Sequence, residues 1–356
     1  MSADQSARPD DVMASPAASR LENLQILRFF AASLVVWLHW VGMASHTGFN
    51  LPAFGIGMFG VDIFFVLSGF VMAMVVNTRT GARLSPRVFF GKRLLRLLPL
   101  YWLLTVSLFF ASTLVPGVVT EIPSIGELTQ SLFFIPYMRD TGLMQPVLFL
   151  GWTLNYEIFF YGCFALSLHF SRPALVVVLA LAGFVLSGVL FHPGSVIGQF
   201  YTDPVLLEFA AGIMCFKTWN ILKSRTGWTG AVICASGGVF SVLLFQMFPP
   251  GEYHRIIPFI IPAFCIVLGA AMMPPLQGGI VMGPILLGDA SYAIYLIHPY
   301  VQKLILSISP ENFGIIGLTA IMIVLVTGVA IAFFIWFDRP LRKCWSREKS
   351  VVGTIT

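Results

Sequence analysis

The sequence predicts an all-α integral membrane protein, a bundle of about ten transmembrane helices with both termini cytoplasmic. Three observations predict it. Only 10% of the 356 residues are charged against 57% hydrophobic, and mean hydropathy is +0.87; a soluble domain carries about 25% charged residues. Apolar runs long enough for a bilayer, about 20 residues each, recur along the chain. Basic residues gather between alternate runs. The 33 Phe and 8 Trp exclude a disordered chain. The net charge of +5 is therefore read as membrane orientation, and no nucleic-acid partner is expected.

Residues 1–21, ending SPAASRL, are rich in Ser, Ala, Asp and Pro with no apolar segment. They read as a disordered cytoplasmic tail, not a cleaved signal. The membrane domain covers 22–340, with spans at 24–44, 54–76, 97–115, 149–169, 174–191, 204–219, 230–248, 256–273, 285–306 and 314–337. Gly and Pro inside several spans are ordinary in membrane helices. Residues 341–356 form a basic cytoplasmic tail.

An even number of spans leaves both termini on one side. One set of connections holds Arg79, Arg83, Arg87, Lys92, Arg93, Arg96, Arg172, Lys217, Lys223 and Arg225. The tails add Arg8, Arg20, Arg339, Arg342, Lys343, Arg347 and Lys349, against Arg139, Arg255 and Lys303 on the other side. Seventeen against three makes the tail side cytoplasmic by the positive-inside rule, in the inner membrane. No internal repeat is visible, so an inverted-repeat transporter is not suggested.

Other chemistry can be set aside. Cys163, Cys215, Cys234, Cys265 and Cys344 form no CxxC, and four lie in apolar runs, so neither a disulfide framework nor a metal site is expected. LSGF around Ser68 lacks the first glycine of a nucleophile elbow. No P-loop, GxGxxG or HExxH occurs.

Ionisable groups inside spans cost about 3 kcal/mol each on insertion scales, which makes each a functional hypothesis. In the first span Arg28 and His39 are eleven residues apart, three turns plus about 20°. They share a face, roughly 16 Å apart. Asp62 in GVDIFFVLSGF, Glu157 in GWTLNYEIFFY and His298 in SYAIYLIHP fall within about one turn of the depth of His39. A shared cavity in the outer half of the membrane is the expectation. A neutral His serves as general base near pH 7, and a paired carboxylate fixes its tautomer, so His39 is expected to pair with Glu157 or Asp62. His298 precedes Pro299 and has an alternative role, bonding a carbonyl that the proline frees. In RVFFGKRLLRLLPLYW, Arg93 and Arg96 share a helix face beside Lys92. Such arginines bind phosphates, and they also anchor helix ends to anionic lipid.

Arg28-x10-His39, GVDIFFVLSGF, Arg93-x2-Arg96, WTLNYEIFFY, SYAIYLIHP and FDRPLRK, in this order across 22–343, together resemble the membrane acyltransferase-3 family. Asn155-Tyr156-Glu157 supplies one carboxylate where the commoner pattern has two. In this the sequence is similar to the bacterial exopolysaccharide O-acetyltransferase branch. Some relatives append a periplasmic hydrolase-like domain, whereas here about 19 residues follow the last span.

The resemblance implies transfer of an acyl group, usually acetyl from acetyl-CoA, to a sugar hydroxyl. Acetyl-CoA would be a donor substrate, not a permanently bound cofactor. The partners implied are a lipid-linked or polymeric carbohydrate acceptor, the bilayer and polysaccharide synthesis machinery. By the same resemblance His39 is the catalytic histidine and Arg28 its motif partner. Arg93 and Arg96, with Lys92, would meet the donor's phosphates. The oxyanion donor stays open among Tyr156, Tyr295 and Asn155, as does the choice between direct transfer and an acetyl-His39 intermediate. Two rival classes are a proton-coupled transporter and a non-catalytic partner of a polysaccharide assembly complex.

Overall fold

The computed structural model describes residues 16–49, 51, 55–77, 85–114, 122–222, 227–247, 256–274, 276, 281–308 and 314–341. Among them all regular structure is helical. The helices are α1 (Pro16–Ser45), α2 (Phe59–Asn77), α3 (Pro86–Leu114), α4 (Ile125–Leu132), α5 (Gly151–Ser167), α6 (Pro173–Phe191) and α7 (Val196–Tyr201). They continue with α8 (Leu206–Leu222), α9 (Trp228–Met247), α10 (Ile256–Met272), α11 (Met282–Asp289), α12 (Ser291–Ile308) and α13 (Ile315–Phe333).

Among the described residues each predicted span overlaps helix, the ninth shared between two helices. Six helical segments, Glu22–Ser45, Phe59–Asn77, Pro86–Leu114, Pro173–Phe191, Val196–Leu222 and Ile315–Leu341, are long and apolar enough to cross a membrane. Large apolar side chains such as Phe110, Leu114, Leu179, Leu190, Ile316 and Val324 stand exposed on them. A soluble monomer rarely tolerates so much apolar surface, and a lipid-facing belt requires it. The chain is a multi-pass membrane protein.

The boundaries depart from expectation in three places. The third span begins much earlier than 97, at Pro86, so Lys92, Arg93 and Arg96, expected at a helix start, ride within one long helix continuous with the span. Pro86 at the first helical position suits such a start. The ninth span, expected unbroken over 285–306, divides at Ala290 into α11 and α12. There Gly288 packs so tightly on α1 that a Cβ would sit 2.0 Å from the Gln25 carbonyl oxygen. Finally, α1 starts at Pro16, within the segment assigned to the tail. Residues 1–15 and 342–356 lie outside the described residues, as do Arg79, Arg83, Lys223, Arg225 and Arg255 of the charge census.

The core is made by α1, α2, α5, α8, α10 and α12. The α2/α8 crossing depends on two glycines: a Cβ on Gly69 would lie 2.1 Å from the Phe209 carbonyl, and one on Gly212 2.1 Å from that of Val66. Small residues of this kind bring membrane helices into backbone contact. Side-chain hydrogen bonds hold the rest. Asn23 Nδ2 donates to the Met273 and Pro274 carbonyls at the end of α10, at 3.2 and 3.0 Å. Gln302 Nε2 donates to the Val36 carbonyl at 2.8 Å, and Trp40 Nε1 to Thr319 Oγ1 at 2.9 Å. Tyr292 and Tyr300 of α12 donate to the Leu97 and Leu104 carbonyls of α3, at 2.5 and 2.7 Å.

Candidate active site

A cleft opens between α1, α2, α3, α5 and the start of α12. Arg28, Arg93 and Arg96 line it together with Glu157. Residues three apart on α3 and four apart on α5 help bring this about, because such spacings stack side chains on one face. Three guanidinium groups face one carboxylate, so the cleft carries a formal excess of positive charge.

Glu157 is tied into this arrangement. Ser68 Oγ donates to Glu157 Oε1 at 3.0 Å, and the Tyr161 hydroxyl, one turn further along α5, donates to the same oxygen. The Arg93 guanidinium lies 5.6 Å from the ring centre of Phe89 and 5.9 Å from that of Tyr161. Tyr161 thus holds the carboxylate with its hydroxyl and the arginine with its ring face, a cation–π contact.

Deeper, Tyr295 forms the wall. Its hydroxyl donates to the Leu150 carbonyl at 3.2 Å and lies 3.0 Å from Thr153 Oγ1. Its ring lines the cleft on one side and packs edge-on against His298 at 6.2 Å between centres. Beyond it is a histidine pair. His39 Nδ1 is 3.0 Å from His298 Nε2, with the rings stacked at 5.1 Å. His298 is fully buried and its Nδ1 lies 3.1 Å from the Ile294 carbonyl.

The expected single cluster is therefore two. His39 pairs with His298 instead of with Glu157 or Asp62, and Glu157 belongs to the arginine cleft. Helical facing explains the division. On α2 the cleft face is Val61, Phe64, Phe65 and Ser68; Asp62 is buried on the row that continues through Val66 and Gly69 to α8. On α5, Thr153, Glu157 and Tyr161 face the cleft, while Tyr156 turns away to stack on Phe200 at 3.8 Å and bond Asp203. Asn155 is buried outside the cleft lining. Of the three oxyanion-donor candidates, Tyr295 is the one at the cleft. Lys92 projects outward and exposed from α3.

Thr153, Tyr161, Ser291 and Tyr292, not expected in the site, line the cleft, as does Ser68, considered above only as a nucleophile elbow. Two signals point to Tyr161 and Ser291. Tyr161 is four residues from Glu157, and Ser291, Tyr295 and His298 recur at near-helical spacing on α12. Among the described residues no group of acidic, His or Cys side chains is arranged for a metal ion.

The sequence comparison gives this helical bundle, with its arginine-lined cleft and histidine pair, a class: a membrane acyltransferase. The acyltransferase domain of the acyltransferase-3 family matches residues 21–337, and the chain belongs to that family. It is 33% identical over 323 residues to the exopolysaccharide production protein ExoZ of Rhizobium meliloti, covering 87% of this chain and 96% of that one. It is 26% identical over 331 residues to the peptidoglycan O-acetyltransferase OatA of Listeria monocytogenes, covering 81% of this chain and 51% of that enzyme, so it spans about half of OatA. The acyltransferase MdmB of Streptomyces mycarofaciens is 25% identical over 319 residues, 80% of this chain and 79% of MdmB. No solved structure gives a significant match. The chain is an acyltransferase, and its relatives mark the activity as O-acetyl transfer.

Proposed function

We propose that this protein is a ten-span inner-membrane enzyme with both termini cytoplasmic that moves acetyl from acetyl-CoA to a hydroxyl of an exopolysaccharide. The observation that carries the reading is that Tyr295, which lines the arginine cleft, packs its ring against His298 of the His39–His298 pair. The similarity to an exopolysaccharide production protein supports the acceptor class. The excess of basic residues on the tail side supports the orientation.

The chemistry follows from the layout. Arg93 and Arg96 take the donor's phosphates, with the rings of Phe89 and Tyr161 against the guanidinium of Arg93. Lys92, exposed near the mouth, adds long-range attraction. Arg28 lies about 16 Å along α1 from His39, so a donor anchored among the arginines reaches the histidine only through a long, thin arm. The pantetheine chain of coenzyme A has that shape. His39 removes the proton of the acceptor hydroxyl as its oxygen attacks the thioester carbonyl. The tetrahedral intermediate collapses with loss of the thiolate, which takes the proton back from His39. The group that donates to the developing oxyanion stays open, since the Tyr295 hydroxyl is engaged by the Leu150 carbonyl and Thr153.

The test compares the surface polysaccharide of a deletion strain complemented with wild type or with His39→Ala. Nuclear magnetic resonance should show the O-acetyl signal restored by the wild type and absent with the variant, which stays in the membrane. An unchanged O-acetyl signal in the deletion strain, or near-normal acetylation with His39→Ala, contradicts the proposal.

A further inference from the structure

We propose that His298 is a positioning residue that sets the tautomer of His39 and thereby makes His39 Nε2 the reacting nitrogen. The argument starts at the backbone. The Ile294 carbonyl can only accept, so His298 Nδ1, 3.1 Å away, carries a proton and donates it. In a neutral ring the other nitrogen is then an acceptor. That nitrogen, His298 Nε2, lies 3.0 Å from His39 Nδ1, which must therefore be the donor. With its proton on Nδ1, neutral His39 presents its lone pair at Nε2. A carbonyl and two imidazoles thus form a relay, and the His39 ring has the Val35 carbonyl, one turn back on α1, as a further hydrogen-bond partner.

The surroundings favour this assignment over packing alone. His298 is 0% exposed, while His39 keeps partial exposure. The relay thus runs from a partly exposed ring to one sealed in protein. The ring of His298 is further held by Tyr295, whose own hydroxyl is committed to α5. In the reaction, His39 Nε2 takes the proton of the acceptor hydroxyl as the new C–O bond forms. The imidazolium produced keeps its Nδ1–H on the neutral acceptor His298 Nε2, a charge-assisted bond. The proton then leaves Nε2 for the thiolate as the C–S bond breaks. His298 stays neutral throughout and touches no substrate.

The step deepens the acyl-transfer reading and rests on it for the chemistry, whereas the tautomer can be measured without turnover. The experiment uses full-length protein in lipid nanodiscs, labelled with nitrogen-15 histidine, as wild type, His298→Phe and His298→Gln. Solid-state magnetic resonance reads the His39 tautomer, assigned by the signals lost in His39→Gln. Acetyl transfer to an oligosaccharide gives kcat and the donor KM. Wild type should show His39 protonated on Nδ1. His298→Phe, which keeps a flat ring but cannot accept, should shift His39 toward the Nε2–H form and lower kcat about 10²- to 10⁴-fold, with donor KM within about two-fold. His298→Gln, whose Oε1 can accept from Nδ1–H, should keep the tautomer and about a tenth or more of kcat. A wild-type His39 protonated on Nε2, a His298→Phe enzyme of near-normal kcat, or a fall in kcat with the tautomer unchanged would each overturn the proposal. If no form of the protein transfers acetyl, the proposed function fails, and the spectra still decide whether His298 sets the tautomer.

Discussion

Arg93 shows how one side chain can be fixed from two sides. Its own helix supplies Phe89 beneath the guanidinium, α5 supplies the ring of Tyr161, and the hydroxyl of that same tyrosine holds Glu157 in the cleft. Removing the arginine deletes one charge-assisted contact to the donor, worth about 1.5–3 kcal/mol. Arg93→Ala should therefore raise the donor KM about 10- to 100-fold while kcat changes little. Steady-state kinetics at varied donor concentration checks this, and an unchanged KM would return the arginine to a lipid-anchor role. Tyr161→Phe keeps the ring under Arg93 and loses the bond to Glu157. Its effect on donor KM should be smaller than that of Arg93→Ala and of the same sign.

Helix α2 does two jobs on two faces. One lines the cleft through Phe64, Phe65 and Ser68, and the other meets α8 where Gly69 and Gly212 let the backbones touch. Gly69→Val has no room at that crossing, since the atom it adds would lie against the Phe209 carbonyl. It should destabilise the fold by about 1–3 kcal/mol, seen as an earlier thermal transition in detergent, whereas Gly91→Ala, in open space on α3, should not. The sequence shows helices of this kind well, because a run such as FFVLSGFVMAMVV has one reading in a bilayer. It also shows Arg28 and His39 on one face, since that is helix geometry alone. It does not show that His39 meets His298, because that contact joins residues 259 apart in sequence and depends on how α1 and α12 rotate against each other. Ser68 was illegible for a related reason: a lone serine in an apolar run usually bonds its own backbone, and only the approach of α5 turns it toward Glu157.

At the scale of the whole molecule the account requires an asymmetric protein, with arginines toward one surface and the histidine pair deeper toward the other. Two exposed turns report the orientation. Thr141 lies between α4 and α5, and Ser171 between α5 and α6. In a chain whose own cysteines are replaced, Thr141→Cys should react with an impermeant thiol reagent in spheroplasts. Ser171→Cys should react only after permeabilisation, and the reverse pattern would invert the topology. The central claim is that anionic donor binding and acyl transfer are separate stations on one path, the arginine cleft and His39. It is tested most directly with purified protein in proteoliposomes, radiolabelled acetyl-CoA and an oligosaccharide acceptor. Wild type should transfer label to the acceptor, His39→Ala should bind donor with near-normal affinity yet transfer none, and Arg93→Ala should transfer label when donor is raised. A His39→Ala protein that still acetylates the acceptor at the wild-type rate would contradict the account.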